Sequence, residues 1–362
     1  MKYYIIAGEA SGDLHGSNLI KKIIKKDSEC EIRAWGGDKM LNAGAVIARH
    51  YKDHNFMGFT EVIIHLNTIL QNFKFCKKDI IEFNPDVVIF IDFPGFNLRI
   101  AKWAKQHHFK TVYYISPQIW AWKSSRVYTI RKVIDKMITI LPFEKDFYKK
   151  FDVDVEYVGH PLLDAIHISE NNQSDKTKNQ ITLLPGSRIQ EIKRMLPVMT
   201  MLPALFPQYE FVIAGASNIG ESIYHQYSVN KIPVKFNMLY QLLNQSKAAV
   251  VTSGTATLET ALNNVPMIVC YKSTELSYQI AKKLIRVKFI SLVNLIMDKM
   301  VVTELIQNDM NIKKLKEELH SLIFHTEKRQ EMFEDFKELK TMLGNSGASD
   351  RAAQIIVDMI KR

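Results

Sequence analysis

Residues Tyr3 to Gly16 read YYIIAGEASGDLHG, an apolar run followed by small residues and two acids, then a stretch that continues as a helix. A strand that breaks into a Gly-rich loop at a helix start is how α/β proteins hold ligands at the carboxyl ends of their strands. Gly8 and Gly12 permit close backbone approach, and Glu9, Ser11 and Asp13 can exchange hydrogen bonds at the helix mouth. The spacing is neither G-x-G-x-x-G nor a phosphate loop ending in G-K-[ST], so it supports neither a nicotinamide nor an ATP site. A plainer reading stays open on these residues alone: the glycines only turn the chain and Asp13 caps a helix.

Further along, short β-rich apolar runs alternate with longer helical patterns: VVIFI at Val87 to Ile91, TVYYI at Thr111 to Ile115, KMITI near Ile138 and VEYVG near Tyr157. Such runs are strands buried on both faces, with helices as the crossovers of a parallel sheet, so the first domain is expected to be doubly wound. The polar stretch SENNQSDKTKNQ, Ser169 to Gln180, reads as a linker. The alternation then restarts with ITLLPGSR, YEFVIAGAS, KAAVVTSGT and PMIVCY. The expectation is an α/β chain with one domain over 1–168 and a second over 169–345. Residues 346–362 form a C-terminal amphipathic helix that packs back on an N-terminal domain. Two such halves in tandem create a cleft at the carboxyl ends of their strands.

Composition excludes several classes. The 362 residues are 47% hydrophobic and 24% charged, as in a folded globular protein. Cys30, Cys76 and Cys270 have no paired spacing, so neither a disulfide framework nor a zinc ribbon is indicated. The start lacks the pattern of a secretion signal, and no apolar run reaches the roughly 18 residues of a spanning helix, so a cytoplasmic protein is expected. The net charge of +10 favours anionic partners.

Several segments carry chemistry. LLPGSR, Leu183 to Arg188, ends a strand in Gly186 and Ser187 and presents Arg188 at a helix entrance, a construction suited to a diphosphate. VVTSGTATLE, Val250 to Glu259, repeats it with Ser253, Gly254 and Thr255, and places Glu259 one turn on, within reach of a ribose diol. Together they suggest a sugar-nucleotide site. Asp92, in FIDFPGFN directly after VVIFI, could serve as general base on a sugar hydroxyl, or cap a helix starting near Asn97. In ISPQIWAWKSSR, Trp120 and Trp122 stand beside Lys123 and Arg126, a pairing that suits an anionic membrane interface, a nucleic acid or a core position. In FMGFTEVIIHLNTILQNF, Phe56, Met57 and Phe59 lead into an apolar stripe of Val62, Ile63, Leu66, Ile69, Leu70 and Phe73. That stripe could dock acyl chains or a bilayer face, or simply pack on the sheet. His50 and His54 share a helical spacing but lack a third ligand, so no metal is expected.

GEASGD, GG-x-x-M at Gly36 to Met40, FMGFTEV, IDFPGFN, SPQIWAW, LPFE at Leu141 to Glu144, VGHPLLD at Val158 to Asp164, LLPGSR and SGTATLE occur in order along nearly the whole chain. In this the sequence resembles the lipid A disaccharide synthase family. The resemblance implies an inverting, metal-independent glycosyltransferase of two Rossmann-like domains facing across a cleft, the GT-B arrangement, without a cofactor. Its substrates would be UDP-2,3-diacylglucosamine and 2,3-diacylglucosamine 1-phosphate. The family's catalytic aspartate falls on Asp92, its diphosphate-binding arginine on Arg188 and a nucleotide-side asparagine on Asn294, with Glu9 and Ser11 at the reaction centre. A peripheral place on the cytoplasmic face of the inner membrane follows from lipid substrates, and a homodimer stays open. Gly95 stands where some members carry a second acid, which excludes a two-carboxylate mechanism at that position; Asp38 replaces a frequent proline. A sugar-nucleotide epimerase, or a different glycosyltransferase on the same scaffold, is the nearest rival. A nucleic-acid-binding protein is disfavoured because no basic stripe accompanies the tryptophans.

Overall fold

The computed structural model describes residues 1–53, 66–166, 179–284 and 287–361. The chain divides into two compact units, Met1–Asp164 with Asn345–Arg362, and Ala165–Gly344.

The first unit is built on seven strands: β1 (Lys2–Ala7), β2 (Glu31–Gly36), β3 (Val46–His50), β4 (Val87–Ile91), β5 (Lys110–Tyr114), β6 (Lys136–Thr139) and β7 (Val155–Tyr157). They pair in parallel in the order β3-β2-β1-β4-β5-β6-β7. The order reverses between β1 and β4, which lie in register with Ala7 opposite Ile91. Ligand sites of open parallel sheets form outside the carboxyl ends of the strands at such a reversal. Every residue of β4 is buried, which explains its unbroken apolar run. Each such Val, Ile or Phe contributes about 1.5–3 kcal/mol by leaving water.

β2 is less apparent in the sequence because Glu31 and Arg33 interrupt it; Arg33 is neutralised by Asp79 at 2.6 Å, and Asp79 also accepts from the Tyr4 hydroxyl at 2.6 Å. The C-terminal helix Ala348–Lys361 buries Ala352, Ala353, Ile356 and Val357 and packs on the first helix, Ala10–Lys26, with Lys26 and Asp350 paired at 3.2 Å. Its start is held by Asp164, whose carboxylate accepts the backbone N–H groups of Gly347 and Ser349. Arg351 completes the clasp on the Val158 carbonyl at 2.6 Å.

The second unit carries β8 (Gln180–Leu184), β9 (Glu210–Gly215), β10 (Val234–Phe236), β11 (Ser246–Thr252), β12 (Met267–Tyr271) and β13 (Thr303–Ile306). All pairings are parallel, in the order β10-β9-β8-β11-β12-β13, so the reversal lies between β8 and β11. Both units are therefore doubly wound α/β domains. Most of the polar stretch Ser169 to Gln180, read as a linker, lies outside the described residues, as do Phe56, Met57, Phe59, Val62, Ile63 and His54. Among the described residues no helix is long and apolar enough to cross a membrane.

Candidate active site

In the first unit, β1 gives way at Gly8 and Glu9 to the helix Ala10–Lys26. Gly8 is required by close approach: a Cβ there would stand 2.3 Å from the Phe93 ring. Glu9 takes the N-cap position, and the Ser11 hydroxyl donates to its carboxylate at 2.8 Å. Asp13 does something different. Buried, it accepts the backbone N–H groups of Gly37, Lys39 and Met40 at 2.7, 3.1 and 3.1 Å, so it caps the neighbouring helix Asp38–Asn42 rather than its own. Glu9 and Ser11 line the loop mouth, while Asp13 holds two loops together.

β4 ends as abruptly. Asp92 and Phe93 both adopt left-handed backbone, φ +44° and +50°, at a cost on the order of 1–3 kcal/mol each for residues with a side chain. The surroundings compensate. The Asn97 amide donates to the Asp92 carbonyl at 2.7 Å, and the Tyr113 hydroxyl donates to the same oxygen. Phe93 stacks on Phe96 with ring centroids 5.5 Å apart. The following helix begins at Pro94, so Asp92 does not cap a helix near Asn97; Asn97 lies inside the first turn, fully buried. The consequence is a half-buried Asp92 at the carboxyl end of β4, with the neighbouring Phe93 ring against Gly8. Gly95 is exposed, with open space where a Cβ would sit.

Between β5 and β6 lie the two tryptophans. Trp120 meets Phe143 edge-on, centroids 4.9 Å apart. Trp122 is 44% exposed, with Lys123 and Arg126 over its ring at 4.5 and 5.5 Å. Sequence reasoning gave no role to Glu144. Buried at the start of the helix Glu144–Lys149, it accepts the N–H groups of Ile140 and Leu141 at 3.2 and 3.0 Å. Burial pushes its carboxyl up to about 7, against those backbone hydrogen bonds and the polar atoms of Ser116 and Trp120 that face it. Two of its partners lie three and four residues back along the chain, while Ser116 and Trp120 and the burial itself come from folding, which the LPFE segment alone did not reveal. Among the acyl-facing candidates, Ile69 is half-buried and Leu70 exposed on the helix Leu66–Phe83.

In the second unit, β8 opens into Gly186, at φ +112°, then exposed Ser187 and Arg188, before the helix Ile189–Met199. Glu191, also missed in the sequence, reaches back to accept the Ser187 N–H at 3.0 Å and to pair with Arg188 at 3.2 Å. β11 opens into Ser253 and exposed Gly254, at φ +153°, before the helix Thr255–Leu262. The Ser253 N–H is already used, donating to the Cys270 carbonyl at 3.0 Å, so the donors at this entrance come from the first turn of the helix. Glu259 is half-buried one turn in and accepts from the Tyr240 hydroxyl at 3.0 Å.

Asn294 departs from expectation. It is fully buried; its Nδ2 donates to the Val302 carbonyl and Glu304, and its Oδ1 accepts the N–H groups of Val301 and Val302, all within 2.9 Å. Those four bonds fill the amide's capacity, leaving nothing to offer a nucleotide directly. Instead it braces Glu304, which accepts the N–H groups of Ile290 and Ser291, and Ile290 in turn receives the Ser253 hydroxyl at 2.8 Å. His50 pairs loosely with Asp38 at 3.5 Å, and among the described residues no three His, Cys, Asp or Glu side chains are grouped to hold a metal.

The family model for lipid-A-disaccharide synthetase matches residues 3–357. The chain belongs to the lipid-A-disaccharide synthase family. Its curated relatives include the lipid-A-disaccharide synthase of Syntrophus aciditrophicus, 37% identical over 99% of this chain and 97% of the relative. Another, from Trichlorobacter lovleyi, is 34% identical over the same shares. The chain is thus a glycosyltransferase of lipid A biosynthesis, a family acting on sugar-nucleotide and lipid-linked substrates. Among solved structures, UDP-GlcNAc 2-epimerase from Neisseria meningitidis bound to UDP-GlcNAc aligns with a TM-score of 0.65, 13% identity and 99% coverage of both chains. The glycotransferase of kitacinnamycin aligns at 0.66, 13% identity, 99% of this chain and 98% of the other. Identity that low speaks to fold alone: two Rossmann-like domains of GT-B type.

Proposed function

We propose that the chain condenses UDP-2,3-diacylglucosamine with 2,3-diacylglucosamine 1-phosphate, giving the β-1,6-linked disaccharide 1-phosphate and UDP, with inversion and without a metal. The second domain holds the UDP-sugar and the first the acceptor. Cleavage of the bond from the anomeric carbon to the β-phosphate oxygen leaves the electron pair on UDP. Arg188 and the N–H groups of the helix starting at Thr255 stabilise that charge, the work a divalent cation does elsewhere. The acceptor 6-oxygen forms the new bond from the opposite side while its proton passes to the Asp92 carboxylate. Glu259 takes the ribose diol, and Glu9 and Ser11 line the acceptor side.

One observation carries this reading: the left-handed break at Asp92–Phe93 sets Asp92 at the carboxyl end of β4, with the neighbouring Phe93 ring against Gly8. Backbone strain held in place by surrounding contacts is a frequent companion of function. The membrane side of the proposal rests on exposed Leu70, Phe75 and Trp122, the last flanked by Lys123 and Arg126. Apolar and basic residues together suit the anionic cytoplasmic leaflet, where both lipid substrates reside. Incubating the purified protein with both substrates and analysing the products by mass spectrometry tests the function. Disaccharide 1-phosphate and UDP are expected; an epimerised UDP-sugar, or no coupling, contradicts it.

A further inference from the structure

The donors that a diphosphate needs on the β8 loop are already engaged by a carboxylate of the chain itself. Glu191 sits in the first turn of the helix Ile189–Met199, and its side chain folds back over the loop. Its Oε2 accepts the Ser187 N–H at 3.0 Å, and its Oε1 accepts from Arg188 Nη1 at 3.2 Å. Gly186 makes room for it, since a Cβ at that position would stand 2.4 Å from Oε2. Two anionic oxygens thus rest where a backbone N–H and a guanidinium converge, the donor set of a phosphate seat.

We infer that Glu191 is an internal counter-anion, which fills the diphosphate seat while no nucleotide is bound and swings out when UDP enters. The inference rests on the proposed nucleotide reading of this loop. Diphosphate and carboxylate are both negative and need the same donors, so they cannot occupy the seat together. Glu191 is partly exposed, its side chain 21% accessible, which gives the carboxylate a solvated position to move to. When in place, it keeps Arg188 paired and the loop ordered for the next nucleotide. A ligand without phosphates does not contend for the seat.

Calorimetric titration of wild type and Glu191→Gln with UDP and with uridine tests this, together with a crystal structure of the wild type with UDP. The neutral amide is a weaker competitor, so UDP should bind the variant about 10-fold more tightly while uridine affinity is unchanged, with the thermal midpoint confirming the fold. In the wild-type complex the Glu191 carboxylate should have left the Ser187 N–H. Unchanged or weaker UDP binding by Glu191→Gln, or Glu191 still on Ser187 in the complex, overturns the inference while leaving the nucleotide site standing. Failure of the wild type to bind UDP overturns the underlying reading, and this inference with it.

Discussion

The carboxyl edges of the two sheets share a construction, strand to small-residue loop to helix, yet use their polar residues in opposite ways. At the first, Asp13, Asn97 and Glu144 are buried and consumed in tying loops together. At the second, Ser187, Arg188, Gly254 and Thr255 are exposed. A rigid, inward-braced edge suits the placing of one carboxylate, Asp92. An open edge rich in donors suits a mobile anionic ligand. The same sequence signature therefore marks either a scaffold or a seat, and only tertiary contacts tell which.

If that division holds, Asp92→Asn should lower turnover by about 10²-fold or more with UDP affinity nearly unchanged, as measured by steady-state kinetics and calorimetry. Next in size, Asp13→Ala should cost about 3 kcal/mol of stability in denaturant titration, because three buried N–H groups lose a charged acceptor. A milder loss would show that the first edge is less tightly braced than its geometry implies. Arg188→Ala should weaken UDP binding by about 30-fold, the value of one charge-assisted contact, with little change in thermal midpoint.

The smallest effect concerns Glu144. Its carboxyl is raised in the fold to about 7 from an ordinary 4.5, so between those values the folded chain holds a proton that the unfolded chain has lost. Stability is then fullest below pH 4.5 and declines as pH rises through 7. Glu144→Gln should remove this decline and be more stable than wild type by about 1–2 kcal/mol at pH 8, read from denaturation midpoints across pH.

Much of the fold was legible because β1, β4, β5, β8 and β11 are apolar runs bounded by small residues. β3, β10 and β13 are short or edge strands with little periodicity, and β2 is interrupted by charges whose partner, Asp79, lies far along the chain. The position of Asp92 and Arg188 just beyond the ends of β4 and β8 was legible from the apolar runs before them. Asp13 was recognisable as a cap, but not of which helix. Asn294 looked like a ligand contact until its four hydrogen bonds were seen, whereas Glu144 and Glu191 reach back three and four residues, a local pattern the sequence reading passed over; only the burial that raises the Glu144 carboxyl depends on distant parts of the chain.

A crystal structure with UDP bound bears most directly on the assignment of the two edges. The diphosphate should lie within about 3 Å of the Arg188 guanidinium and of the first N–H groups of the helix beginning at Thr255. Density for it against the Gly8–Asp13 loop of the first unit instead would contradict the assignment.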